Sequence, residues 1–186
     1  MNNLIVIINF SHRDNGNCIA VADAIREYHD RSILAEYKID HDWLQSCGNC
    51  DYECLRESCV CPNRTQLFDE MLNQISNCDV AYYIVPNYCG FPCANYFAFN
   101  ERSVGYFERK KERLEKYLST EKRFVIISNS ESEVFEKAMH QQTKDRPKML
   151  YLKTGKYAKN SIAGDLMDSD AAKADLVNWL FRLDQP

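Results

Sequence analysis

The feature that most constrains the fold is an alternation along the chain between short, apolar, β-branched runs and longer segments with helical period. "LIVII" at 4–8, "DVAYYIV" at 79–85 and "FVIIS" at 124–128 have the pattern of strands buried on both faces of a parallel sheet. Residues 33–39 alternate more strictly and read as a strand nearer an edge, and "KMLYL" at 148–152 supplies a fifth. Between them, Asn17–Tyr28 places Cys18, Val21, Ala22, Ile25 and Tyr28 on one face of a helix. Residues 65–75, 94–118, 132–142 and 170–183 read as further helices. Parallel neighbours need crossovers of a dozen or more residues, and these segments are long enough to supply them right-handed. The expectation is a doubly wound α/β sandwich with five parallel strands in the order 2-1-3-4-5. At 186 residues it forms a single domain, 1–186.

Composition removes several classes. A net charge of −4 without a long basic stripe argues against nucleic-acid binding, which rests on neutralising phosphates. The one basic run, "ERKKERLEK" at 108–116, interleaves acids and reads as a solvated helix face with a Glu112–Lys116 pair. The apolar start is far too short to span a membrane and has no signal-peptide flanks, so the expectation is a soluble, cytoplasmic protein. Nine cysteines, an odd number, then read as reduced thiols rather than a disulfide framework.

In a 2-1-3-4-5 sheet the ligand site lies at the carboxyl edge between strands 1 and 3, so the loops after those strands should carry the chemistry. After strand 1 comes "NFSHRDNGNC" at 9–18: Ser11 offers a hydroxyl, Arg13 a planar cation, and Gly16 a free backbone just before a helix N-terminus. The loop has neither the Walker pattern nor G-x-G-x-x-G, and a monophosphate suits it better. After strand 3 comes "PNYCGFPCANYFAFNER" at 86–102. There Pro86 ends the strand, Gly90 frees the backbone and Pro92 starts the next helix, exposing main-chain N–H groups in a turn. Such a turn can bind a flat heterocycle edge-on, with Tyr88 and Phe91 able to flank it.

These two loops resemble those of the flavodoxin-like NAD(P)H-dependent FMN reductases, where strand 1 is followed by a stretch like "NGSPRKNGNT" and strand 3 by one like "PVYWGGPSAQLKAFIDR". The resemblance implies FMN, its phosphate held by Ser11, Arg13, Asn15, Gly16, Asn17 and Cys18, its ring against Pro86, Asn87, Tyr88, Cys89 and Gly90. It implies a nicotinamide donor, NADH or NADPH, an acceptor that is a quinone, nitro compound, flavin or protein, and a homodimer. No catalytic side chain is required, because the flavin carries the chemistry. Phe10, Cys18, Cys89 and Phe91 depart from the pattern: Cys18 reads as a weakly bonding stand-in for Thr, and Phe91 narrows the place where a nicotinamide would stack. The segment at 128–133, "SNSESE", lacks the glycines often found beside the ring.

Residues 41–64 have no clear period and form a cysteine-rich insertion, Cys47-x2-Cys50-x3-Cys54-x4-Cys59-x-Cys61. The insertion is similar to the cysteine loop of the iron–sulfur flavoprotein branch, which implies a [4Fe-4S] cluster on Cys47, Cys50 and Cys54 with Cys59 or Cys61. Zinc, a reversible disulfide and free thiols remain open readings of the same spacing. Following strand 2, the loop is expected at the same sheet edge as the flavin loops. Two other functions stay open: an electron carrier without a small-molecule substrate, and a flavin-free metal-binding protein on the same fold.

Overall fold

The structure, a computed structural model, describes residues 4–29, 32–39, 42–48, 50–56, 61–130 and 133–185. Five parallel strands form the sheet: β1 (Leu4–Asn9), β2 (Ile33–Lys38), β3 (Val80–Tyr88), β5 (Glu121–Ser128) and β6 (Lys148–Lys153), in the order β2-β1-β3-β5-β6. The short β4 (Phe91–Pro92) pairs antiparallel with the end of β3. Leaving that hairpin strand out, the order is the expected 2-1-3-4-5, and the fold is flavodoxin-like.

The central strands β1, β3 and β5 are apolar on both sides because each side meets helices. Ile5, Ile7, Tyr82, Ile84, Val125 and Ile127 point to a core completed by α1 (Asn17–Tyr28) and α6 (Asp170–Asp184). Val6, Ile8, Tyr83, Val85, Phe124 and Ile126 point the other way, toward α2 (Gln66–Asn77), α3 (Ala94–Phe107), α4 (Lys111–Ser119) and α5 (Glu133–His140). Adjacent residues thus alternate between two cores, as the two-residue strand period requires. Two of the helices start at side-chain caps: Thr65 Oγ1 accepts from Phe68 N–H at 3.3 Å, and Ser169 Oγ from Ala172 N–H at 3.4 Å.

The single helix expected at 94–118 is two helices, α3 and α4, with a turn that puts Arg109 at φ 55°. Packing forces the break. The rings of Phe107 and Tyr117 lie 4.8 Å apart, tilted at 44°, whereas ten residues of one continuous helix would separate them by roughly 15 Å. Nor does Lys116 pair with Glu112; its ammonium reaches Asn77 Oδ1.

Pro86 does not end its strand. The carbonyl of Ile84 accepts from Phe10 N–H on the β1 side, and residue 86 faces that same side two residues on, where β1 has ended. The missing N–H of Pro86 therefore interrupts no ladder, and β3 runs on to Tyr88 in register with β5. Pro92 lies in β4 rather than at a helix start; α3 begins at Ala94 with Cys93 as its N-cap residue.

Candidate functional site

The loops after β1 and β3 meet at the carboxyl edge of the sheet around a cavity of about 580 Å³. Nine of the residues singled out in the sequence line it: Ser11, Arg13, Gly16, Asn17, Cys18, Pro86, Asn87, Tyr88 and Cys89. Asn15 and Gly90 belong to the same loops but not to its lining. Ile127, Ser128 and Asn129 at the end of β5, with Ser161 and Ile162 after β6, complete the wall. The β5 residues follow from the switch-point rule, which brings the neighbouring strand end to the same crevice. Ser161 and Ile162 carry no local signal; they are brought here by contacts across nearly 150 residues of chain.

At the first loop, Ser11 is buried, its N–H donating to Asn9 Oδ1 at 2.8 Å while its Oγ accepts from Arg13 N–H at 3.4 Å. Helix α1 begins after Gly16 without a side-chain cap, and among the described residues no hydrogen bond takes the N–H of Asn17 or Cys18. Those donors and the helix dipole would favour an anion placed at this end of the cavity. Phe10, where the resembling family has a glycine, turns away from the loop and packs edge-on against Tyr83, Tyr96 and Phe99. Burial pushes the Cys18 thiol up to about 12, the neighbouring Cys93 adding to the shift while a hydrogen bond to Ser11 and the charge of Arg13 oppose it. Cys18 is thus a neutral thiol, in keeping with a stand-in for Thr.

Two asparagines hold the scaffold instead of presenting free side chains. Asn17 donates from Nδ2 to the carbonyls of Asn160 (3.0 Å) and Ser161 (3.2 Å), and its Oδ1 accepts from Leu166 N–H (3.0 Å). Asn87 donates from Nδ2 to Ser128 Oγ at 2.6 Å and to the Ser130 carbonyl at 3.3 Å. Its Oδ1 accepts from Gly90 N–H at 2.8 Å, so this turn N–H, expected to be open to a heterocycle, is already engaged. The turn has positive φ at both central residues, Cys89 (54°) and Gly90 (86°), the arrangement of a tight two-residue hairpin. It carries Tyr88 and Phe91 half-exposed beside the exposed Cys89.

The cavity fits a nucleotide-like cofactor: its volume lies in the range of small-molecule sites, roughly 300–1,000 Å³. One end offers helix N–H groups that take no partner among the described residues, the other a tight hairpin with an aromatic flank. A larger groove of about 760 Å³ between α3 and α4 is walled by Phe97, Val104, Phe107, Leu114 and Leu118. Arg109 and Lys111, at the start of α4, also line it, but no strand residue does, so it lies away from the switch point of the sheet.

The cysteine segment is elsewhere. Cys47 N–H donates to Glu101 Oε2 at 3.0 Å, Arg102 donates to the Asn63 carbonyl, and Cys54 packs against Gly105, where an added Cβ would lie 3.1 Å from its Sγ. Gly105 is eleven residues into α3, roughly 16 Å along the helix from its start. The segment, expected at the same sheet edge as the two loops, therefore descends along α3, and none of its described residues lines the cavity. Burial, and after it the charges of Cys61, Cys47 and Cys50, raise the Cys54 pKa. Among the described residues no three His, Cys, Asp or Glu side chains are arranged to hold a metal ion; Cys59 lies outside the described residues.

No family model matches the chain, and no curated protein does. Solved structures do. The chain is similar to an NAD(P)H:quinone oxidoreductase from Methanothermobacter marburgensis (14% identity, 100% of this chain and 99% of that one covered, TM-score 0.65). It is similar to the Trp repressor binding protein from Bacillus subtilis (14%, 97% and 99%, TM-score 0.63). It also resembles FerB, a flavoenzyme NAD(P)H:(acceptor) oxidoreductase from Paracoccus denitrificans (9%, 97% and 98%, TM-score 0.55). At these identities the likeness carries the fold, over essentially the whole chain.

Proposed function

We propose that the chain is an FMN-dependent oxidoreductase that takes electrons from NADH, NADPH or a protein donor and passes them to a quinone, nitro compound, flavin or protein acceptor. The observation that carries this reading is the convergence of the α1 N-terminus and the Cys89–Gly90 hairpin on one cavity at the switch point of the sheet. Two of the similar solved structures are NAD(P)H oxidoreductases, one of them a flavoenzyme, which agrees with it.

In this reading the N–H groups of Asn17 and Cys18, with Ser11, would hold the phosphate, and Pro86, Tyr88, Cys89 and Ser128 would border the ring. The bound flavin supplies hydride acceptance and electron transfer; the protein's own part is to orient it and set its surroundings. Asn87 keeps the hairpin in place against β5, and the exposed face of Tyr88 forms a flat apolar border for an incoming aromatic acceptor. No side-chain acid or base is needed, and no step passes through the cysteine segment. The chain would work as one cytoplasmic domain, forming a homodimer as in the resembling family. Among the described residues, no helix is long and apolar enough to cross a membrane.

The test is reconstitution with excess FMN, then steady-state oxidation of NADH or NADPH with a quinone acceptor. Bound flavin with nicotinamide oxidation supports the enzyme. Bound flavin without it favours the electron carrier, and no bound flavin removes both.

A further inference from the structure

The segment 158–165 between β6 and α6 crosses the α1 N-terminus as a strap. Asn17, 3% exposed, ties it at residues 160 and 161 and, just past its end, at Leu166. Gly164, at φ 79°, lies so close to the first loop that a Cβ there would sit 3.4 Å from Gly16 Cα and 3.5 Å from Gly16 N. Arg13 closes the other side. Its Nη2 donates to the Ile162 carbonyl at 2.5 Å and to the Asn15 carbonyl at 3.5 Å. Its guanidinium lies over Gly16, 3.8 Å from Cζ to where a Cβ would stand. One nitrogen thus brackets the two loops, and the strap delivers Ser161 and Ile162 into the cavity wall. Ile162 is 66% exposed, an apolar side chain left open to whatever fills the cavity.

We infer that the strap is the fourth wall of the cofactor site, and that Arg13 is a positioning residue that holds it there instead of the cation that neutralises the phosphate. The inference rests on the flavin reading above. Arg13, one of the phosphate ligands the resemblance implies, is thereby reassigned: the phosphate is left to neutral donors, the α1 N–H groups and Ser11, while Arg13 serves the whole cofactor by fixing the wall.

Riboflavin, which lacks the phosphate, separates the two roles. Dissociation constants for FMN and riboflavin are measured on wild type, Arg13→Ala and Gly164→Ala; the last displaces the strap while leaving Arg13 intact. The inference predicts that Arg13→Ala weakens FMN and riboflavin by the same factor, about tenfold for one lost charge-assisted hydrogen bond. Gly164→Ala should weaken both likewise, and the double variant should be little worse than either. A loss confined to FMN in Arg13→Ala makes Arg13 a phosphate ligand and overturns the inference, as does unchanged affinity in Gly164→Ala. Hydrogen exchange of 158–165 in the flavin-free protein gives a second readout that does not depend on the cofactor. Faster exchange in both variants is expected, and unchanged exchange overturns the strap-holding role. Wild type that binds neither flavin defeats the flavin reading itself and leaves the exchange result to decide the strap.

Discussion

Single side chains here have jobs that only their surroundings explain. Lys122, 3% exposed, donates to the carbonyls of Tyr117 and Thr120 and sits 4.1 Å above the Tyr117 ring. Burial lowers its pKa to about 7, with the nearby Cys78 pulling weakly the other way. A base whose folded pKa lies below its unfolded value of about 10.4 destabilises the fold wherever it is charged. The penalty is full below pH 7 and shrinks as pH rises from 7 toward the unfolded value. Lys122→Met should therefore be more stable than wild type at pH 6, by about 2 kcal/mol, with the gap narrowing by pH 9. Urea melts across that range check it, and a gap independent of pH contradicts it. Gly105 is a second case. A methyl there meets Cys54 Sγ at 3.1 Å, so Gly105→Ala should lose about 1–2 kcal/mol, and adding Cys54→Ala should recover part of it in the same melts. The sequence shows a glycine inside a helix but not its reason, because Cys54 reaches it from 51 residues away.

At the scale of elements, the central strands β1, β3 and β5 were legible because each is apolar on both faces, the edge strand β2 because it alternates, and α1 because its apolar stripe is clean. What could not be read locally was set by long-range packing: the Phe107–Tyr117 contact divides α3 from α4, and the end of β1 lets β3 run through Pro86. The hairpin shows the same for the site. Its Cys-Gly turn is visible in sequence, but its anchor, Asn87 bridging Ser128, Ser130 and Gly90, depends on the neighbouring strand. Asn87→Ala should speed hydrogen exchange of residues 86–92 and weaken FMN and riboflavin together, by about tenfold, since it removes a brace and not a phosphate contact. Undiminished flavin affinity with a loosened hairpin would detach that hairpin from the site.

For the whole molecule, the sheet separates two kinds of work. At its amino edge, the buried Arg123 bonds Glu121 (2.6 Å), Tyr82 (2.8 Å), Asp184 (2.7 Å) and the Leu183 carbonyl (3.3 Å), pinning the end of α6. At its carboxyl edge, β1, β3 and β5 end around the cavity. Topology predicted that edge before any side chain was placed, which is why most of the site was legible. The strap was not, since nothing near Ser161 or Ile162 marks them as neighbours of residue 13. The cysteine segment was misplaced for the converse reason: its chain start at the carboxyl edge was legible, and its descent along α3 was not. The central claim is that FMN fills the cavity between the first loop and the hairpin. Its most direct test is hydrogen exchange of the chain with and without saturating FMN, alongside the bound flavin stoichiometry. The expected result is one FMN per chain, with protection concentrated in 11–18 and 86–90. No bound FMN, or protection confined to the groove between α3 and α4, would contradict it.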